Sequence, residues 1–427
     1  MERDFSFRNI LPLMPKDQVD KTLGEISVDL NKQGLIFAKD KAIKTAYAVY
    51  GMDMSEQEMR QKQVAQLHNV YSKHLPGLIQ EPDTQQRLGL DNARVDLALE
   101  TLGAQTSVVC VSFDLAGKKL LIVDPNIDKT DVIGLFDPIQ MAFSKQFPWL
   151  EELFEGFDKQ LRDKLKDLAG KDKPHVFILT SRNNPFAIPQ GEFAEKYGYQ
   201  IGTIDDFKAA KGIDVILRTV SAEDIFSDPE KHTDLLQALK SGMPIINPLI
   251  GAFAGHKGLT AILIRKKLIP ADWFPSMLFV HKGKVVYRSE SFVSNEVFDQ
   301  DLFKIVRDVR KNFVVKLCYG PQGPGGLVAI GASSDYKKHE WNKLLDKVEE
   351  EQSNLTWLIE EMQENLQTES YISYAAKITD PIDIRKQELN VIEKIYFIGG
   401  KFLAEMIMHP KKLVNGSGYS IPVAFLR

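Results

Sequence analysis

The sequence predicts an α/β protein, α+β overall, with a helical N-terminal region, a small domain on a parallel sheet, and a larger region of β-hairpins and helices. Three observations predict it. The first hundred residues carry helical periodicity with few breakers; from His175 short apolar runs alternate with helical stretches; and beyond Gly255 β-rich runs flank tight turns. A chain of 427 residues is long for one core. The expected units are 1–104 (helical), 105–173 (β-hairpin segment), 174–255 (small α/β domain) and 256–427 (C-terminal domain).

In order along the chain, Asp53 to Leu75 and Asp91 to Leu102 have helical spacing. Thr106 to Phe113 and Lys119 to Val123 are β-rich and joined by Asp114-Leu-Ala-Gly-Lys118, a hairpin signal. A charged amphipathic stretch over 145–173 ends at Gly170-Lys-Asp-Lys-Pro174. Strands are expected at His175–Thr180, Gly198–Ile201 and Asp214–Arg218, with helices at Gly191–Tyr197 and around 230–240, leading to Pro244-Ile-Ile-Asn247-Pro. Met277–His281 with Lys284–Tyr287, and Ile395–Ile398 with Phe402–Met408, read as hairpins; Lys337–Gln352 reads as an amphipathic helix.

Composition excludes several classes of function. With 44% hydrophobic and 26% charged residues and a net charge of −4, the chain has no overall pull toward nucleic acid or anionic membrane, and neither partner is expected. Cys110 and Cys318 sit in apolar runs, which fits buried free thiols in a reducing compartment. MERDFSFRNI lacks a signal-peptide core, and no stretch approaches the roughly 20 apolar residues of a membrane span, so a cytoplasmic location is expected. No cysteine or histidine cluster has metal-ligand spacing. Gly416-Ser-Gly418 lacks the setting of a nucleophile elbow, and the glycines near 320 fail the dinucleotide fingerprint.

The segment that carries chemistry is Asn312-Phe-Val-Val-Lys316-Leu-Cys-Tyr-Gly320-Pro-Gln-Gly323-Pro-Gly325-Gly326. A lysine inside an apolar run that reads as a central strand is followed by a loop where main-chain N–H groups can converge on phosphate oxygens. Pro321 and Pro324 stiffen that loop and contribute no donor. An ordinary hairpin turn explains the same glycines and prolines.

The ordered set of segments resembles the circularly permuted ATP-grasp proteins, including the synthetase half of bacterial glutathionylspermidine synthase. Val176-Phe-Ile-Leu-Thr180, Glu192-Phe-Ala-Glu-Lys-Tyr-Gly198 and Asp205-Asp-Phe207 resemble that family's small pre-ATP-grasp domain. Asp214-Val-Ile-Leu-Arg218, Pro244-Ile-Ile-Asn247-Pro and His256-Lys257-Gly-Leu resemble the approach to its nucleotide domain. The Lys316 strand and its loop resemble the phosphate cover, Trp357-Leu-Ile-Glu-Glu-Met362 the adenine hinge, and Leu413-Val-Asn415-Gly-Ser-Gly418 the closing turn. The resemblance covers about residues 105 to 427 and rests on the order of short matches.

The resemblance implies ATP- and Mg²⁺-dependent joining of a small-molecule, amino-acid or peptide carboxylate to an amine through an acyl phosphate. Such chemistry needs the triphosphate charge neutralised and water excluded. Lys257 and Lys316 are the natural cations, Arg385 fits an arginine near the triphosphate, and Gly323, Gly325 and Gly326 would cover the γ-phosphate. Glu360 and Glu361 would meet adenine, and Asn415 phosphate or metal. Asp124, Asn126 and Asp128 fall on one strand face by period two, and their hard oxygens suit Mg²⁺. Alternatives stay open: a solvated lysine at 257, a surface ion pair at Arg385, an Asp-Pro-Asn turn at 124–126, a plain helix over 357–366 and a Gly-rich turn at 415–418.

One departure from the family stands out. With the turn at Ala116-Gly117, Leu115 pairs with Lys118 and Val109 faces Asp124. Asp114 then lies roughly 17 Å from Asp124, and the family's acid across the hairpin is missing or supplied elsewhere, as by Asp131. That motivates a second reading, nucleotide binding without ligase activity; a small-molecule kinase is a third. A homodimer is an open expectation.

Overall fold

The computed structural model describes residues 8–9, 14–32, 46–47, 50–51, 54–103, 110–116, 121–130, 133–148, 156–182, 184, 187–282, 284–290, 307, 313–319, 337–351, 356–361, 367–374, 383–390, 392–399, 401–409 and 419–422. It is a mixed helix-and-sheet protein containing a parallel sheet.

The N-terminal part holds β1 (Arg8–Asn9), α1 (Lys16–Lys32), β2 (Ala46–Tyr47), β3 (Tyr50–Gly51), α2 (Met54–Gln80), α3 (Pro82–Leu88) and α4 (Asn92–Glu100). Val19, Leu23, Ile26 and Leu30 of α1 recur at helical spacing, and all are buried. The helical spacing reads to Leu75, but α2 runs on through Pro76 to Gln80. Leu75, Leu78 and Ile79 are buried on either side of the proline, so tertiary packing outweighs the lost hydrogen bond.

Next come β4 (Cys110–Ala116), β5 (Leu121–Asn126), α5 (Phe136–Gln146) and α6 (Phe157–Ala169), the last closed by Gly170 at φ 63°. The small domain follows as β6 (Val176–Leu179), α7 (Ala187–Tyr197), β7 (Gln200–Gly202), α8 (Ile204–Ala209), β8 (Val215–Arg218), α9 (Ala222–Ser227), α10 (Thr233–Lys240) and β9 (Ile245–Ile246). Its four strands are parallel, in the order β7-β6-β8-β9. Alternate residues enter two different cores. Phe177, Leu179, Ile216 and Ile245 join the cluster that includes α2–α4, while Val176, Ile178, Val215, Leu217 and Ile246 join the one with α1, α5 and α6. A sheet buried on both faces explains why its strands read as unbroken apolar runs.

The remainder comprises α11 (Gly251–Ala254), α12 (Lys257–Arg265), β10 (Met277–His281), β11 (Lys284–Arg288), β12 (Phe313–Tyr319), α13 (Lys338–Glu351), β13 (Thr356–Glu361), β14 (Gln367–Tyr374), β15 (Asp383–Asn390), β16 (Ile392–Ile398), β17 (Lys401–His409) and β18 (Tyr419–Pro422). One antiparallel sheet runs β11-β10-β13-β12, and another runs β18-β17-β16-β4-β5. The second therefore joins residues 110–126 to the C-terminal strands.

Three expectations are corrected. First, the plain helix left open over 357–366 does not form at 356–361, which is a strand paired on both sides by β10 and β12. Second, among the described residues β12 is an edge strand and not a central one. Its apolar run reflects cover from α12 and pairing with β13. Third, the β4–β5 turn does not sit at Ala116-Gly117. Ala116 pairs with Leu121 and Leu115 with Ile122, and a register shift then sets Asp114 directly opposite Asp124. Leu115 pairs four residues further along than the expected turn required, and one extra residue in β5 adds a fifth; neither the turn position nor the bulge is visible in a β-propensity pattern. The acid across the hairpin is in place by register.

Candidate functional site

The site is built on the outer strand of the five-stranded sheet. β5 continues through Pro125 to Asn126; among the described residues it is an edge strand, which tolerates proline because one side of its backbone is unpaired. Asp124 faces Asp114 in register, and Asn126 faces Ser112.

Two ammonium groups from distant parts of the chain meet this strand end. Lys257, the first residue of α12, pairs its Nζ with Oδ1 of Asp124. Lys316 donates from Nζ to the carbonyl oxygen of Val123 at 2.8 Å and pairs with Oε2 of Glu360 at 2.5 Å. Lys316 lies opposite Leu358, so Glu360 is its diagonal neighbour on the same sheet face. Both members of that second pair are largely buried, with side chains 16% and 6% exposed. The cations thus converge, and each is charge-compensated by a carboxylate within the protein.

Asn126 carries the most telling detail. Its Nδ2 is buried and has no hydrogen-bond partner among the described residues. A buried amide donor without a partner costs about 1–3 kcal/mol, so such a group marks a place where a ligand completes the hydrogen bonding. Turning the amide presents its oxygen instead. A divalent cation fits this donor set: the Asp124 carboxylate and the Asn126 amide supply hard oxygen ligands. Among the described residues no three His, Cys, Asp or Glu side chains gather as a metal site, so such an ion would complete its shell with phosphate oxygens and water.

Asp128 does not belong with this pair. Its Oδ1 accepts from Nη2 of Arg218 at 3.0 Å, its Oδ2 from Ser221 at 3.0 Å, and both from the Ala222 N–H. Period two ends with β5 at Asn126, and Asp128 turns toward the parallel sheet. There Arg218, fully buried, also donates to the carbonyls of Asn247 and Val220. Asn247 in turn donates to the carbonyl of Ile127 at 2.9 Å. An added Cβ at Gly251 would lie 2.7 Å from that same carbonyl oxygen. These contacts lock the chain just past Asn126 to the end of β8, and they hold the site rather than line it. The sequence did carry a signal for Arg218: a lone cation in an apolar strand, at its end here and mid-strand at Lys316.

The remaining predicted residues divide. Glu360 is buried and committed to Lys316, and the Glu361 N–H donates to the carbonyl of Ser276 at 2.9 Å. Arg385 belongs to the three-stranded sheet β15-β14-β2, and its side chain lies outside the described residues. Gly323, Gly325, Gly326, Asn415 and Asp131 also lie outside the described residues.

No family model matches the chain, and no curated protein matches it. Among solved structures, the apo form of a glutathione synthetase-like effector (GSS30) from Globodera pallida superposes with a TM-score of 0.50 at 10% identity, covering 95% of this chain and 97% of that one. The chain shares its fold with that effector. A candidate gamma-glutamylcysteine synthetase from Methylobacillus flagellatus KT aligns over 85% of each chain at 14% identity, with a TM-score of 0.37, too low to establish a common fold. Among the described residues no helix is long and apolar enough to cross a membrane.

Proposed function

We propose that the protein is an ATP- and Mg²⁺-dependent ligase of the ATP-grasp type, in circularly permuted order, joining a small-molecule, amino-acid or peptide carboxylate to an amine. The observation that carries this is the convergence of Lys257 and Lys316 on the Val123–Asn126 end of β5. The sharing of one sheet by β4–β5 and the C-terminal strands supports the permuted order. The fold held in common with a glutathione synthetase-like protein is in keeping with the reaction class.

On this reading Lys257 and Lys316 exchange their carboxylate partners for phosphate oxygens, holding the triphosphate in line with the attacking carboxylate. Asp124 and Asn126, with Asp114 opposite Asp124 in register, would hold Mg²⁺, which would supply charge neutralisation across the phosphates. The substrate carboxylate attacks the γ-phosphorus, ADP leaves, and the amine then displaces phosphate from the acyl phosphate.

Because Asp124 occupies Lys257 without ligand, metal or nucleotide added singly must break that pair, while the two together satisfy both partners. ADP and phosphate release requiring ATP, Mg²⁺, a carboxylate and an amine together would support the proposal. Lys257→Met and Lys316→Met should each lower turnover by at least about 100-fold, the scale of a lost charge-stabilising donor. Native rates in both folded variants would refute it. The carboxylate partner that each lysine already has favours one other reading, nucleotide binding without turnover. Calorimetric ATP binding with no product across a substrate panel would identify that case.

A further inference from the structure

Lys257 opens α12, and the residue before it is fully buried. Nδ1 of His256 accepts the N–H of Gly258 at 3.1 Å, and Nε2 lies 3.2 Å from the carbonyl oxygen of Leu88. A carbonyl only accepts, so Nε2 carries the hydrogen and Nδ1 the lone pair. The imidazole is therefore neutral and held in one tautomer; burial is the main cause of a pKa pushed down to about 4. One ring thereby satisfies an orphan donor at the start of α12 and an orphan acceptor at the end of α3. The same turn is clamped from the other side: an added Cβ at Gly258 would lie 2.3 Å from the Phe279 ring.

We propose that His256 is a positioning residue for nucleotide binding, holding the first turn of α12 so that Lys257 reaches β5 and tying that lysine to the α3 end of the helical region. A lysine has four side-chain rotors, so where its ammonium can act depends on where its Cα is held. Loss of an N-cap frays the first turn, and Lys257 lies in that turn. The inference rests on the nucleotide-site reading of Lys257 for its effect on binding, but not for the effect on the lysine itself.

The test pairs two readouts. A double-mutant cycle of His256→Leu and Lys257→Met measures affinity for a non-hydrolysable ATP analogue with Mg²⁺ by calorimetry. Amine labelling, read by mass spectrometry, measures Lys257 reactivity without nucleotide. His256→Leu should weaken binding about tenfold, the equivalent of a lost cap of about 1.4 kcal/mol, and less than about twofold when Lys257 is already Met. It should also label Lys257 at least about threefold faster, while His256→Asn, which keeps the cap acceptor, returns the rate to within about 1.5-fold of native. Equal losses in both backgrounds, or an unchanged labelling rate, overturn the proposal. If the native protein binds no analogue, the nucleotide reading falls, and labelling alone decides positioning. Should His256→Leu not fold, the ¹⁵N signals of the His256 ring decide. They should shift on analogue addition in the native protein and stay fixed in Lys257→Met; saturable binding without a shift overturns the idea.

Discussion

At the scale of single residues, two aspartates four positions apart have opposite employment. Asp124 faces Lys257 and, with Asn126, presents oxygen ligands at the strand end; Asp128 is spent on Arg218, Ser221 and Ala222. Their neutral variants should therefore fail differently. Asp128→Asn leaves the buried Arg218 guanidinium without its carboxylate, and breaking such a pair costs about 3–5 kcal/mol when fully buried. Asp128 is one-quarter exposed, so about 2 kcal/mol is expected by urea unfolding, with little change in the Mg²⁺ dependence of nucleotide binding. Asp124→Asn should change stability by less than about 1 kcal/mol and weaken Mg²⁺-dependent binding at least about tenfold. A stability loss at 124 combined with a metal effect at 128 would invert the assignment.

At the scale of elements, the site depends on how closely α12 sits on the antiparallel sheet. Gly258 is the contact, because the Phe279 ring of β10 occupies the space a side chain would need. Gly258→Ala is expected to destabilise the protein by about 1–3 kcal/mol through overpacking. Phe279→Leu in the same chain should recover part of that loss. Denaturant midpoints decide: if the double variant is no more stable than Gly258→Ala alone, the ring is not what demands glycine. The β4–β5 hairpin makes the complementary point. A different turn position, followed by one residue of register shift, turns a missing carboxylate into one opposite Asp124, so the residue that faces an acid across a hairpin is decided by turn placement and slip together.

Across the whole molecule, two buried titratable groups bias stability in opposite directions. Burial, and then the negative charge of Asp137, push the Asp158 carboxyl from 3.8 up to about 7. The native state then binds the extra proton, so this contribution is full below about pH 4 and is lost as the pH rises through 7. His256 runs the other way, since burial pushes its pKa from 6.5 down to about 4. Its contribution is full above about pH 6.5 and is lost as the pH falls through 4. Between these limits the two offset each other. With the native urea-unfolding curve subtracted, Asp158→Asn should show stability rising from about pH 4 to 7, and His256→Asn should show it falling from about pH 4 to 6.5. The carboxyls held low by partners, such as Asp206 and Asp214, are common to both proteins and cancel on subtraction from native. A variant curve parallel to the native one at every pH would remove its residue from this account.

The sequence by itself determined the elements whose signal is local. The helices over 54–75 and 91–102, the parallel strands at 176–179 and 215–218, and the hairpins at 277–288 and 392–409 follow from periodicity and turn chemistry, which neighbours in the chain already encode. It also picked out Lys316 as a lone cation in an apolar run, and the family resemblance, with period-two spacing for the pair at 124 and 126, added Lys257, Asp124 and Asn126. Their meeting is a different matter. Pairs such as 123 with 316, or 124 with 257, exist only once β5, β12 and α12 are packed, and nothing local specifies that distance. Tertiary structure alone set the hairpin register, made 356–361 a strand between two others, turned Asp128 away, and gave His256 its two partners. Each of those outcomes depends on contacts between residues far apart in sequence, where burial and hydrogen bonding, not propensity, decide the energy.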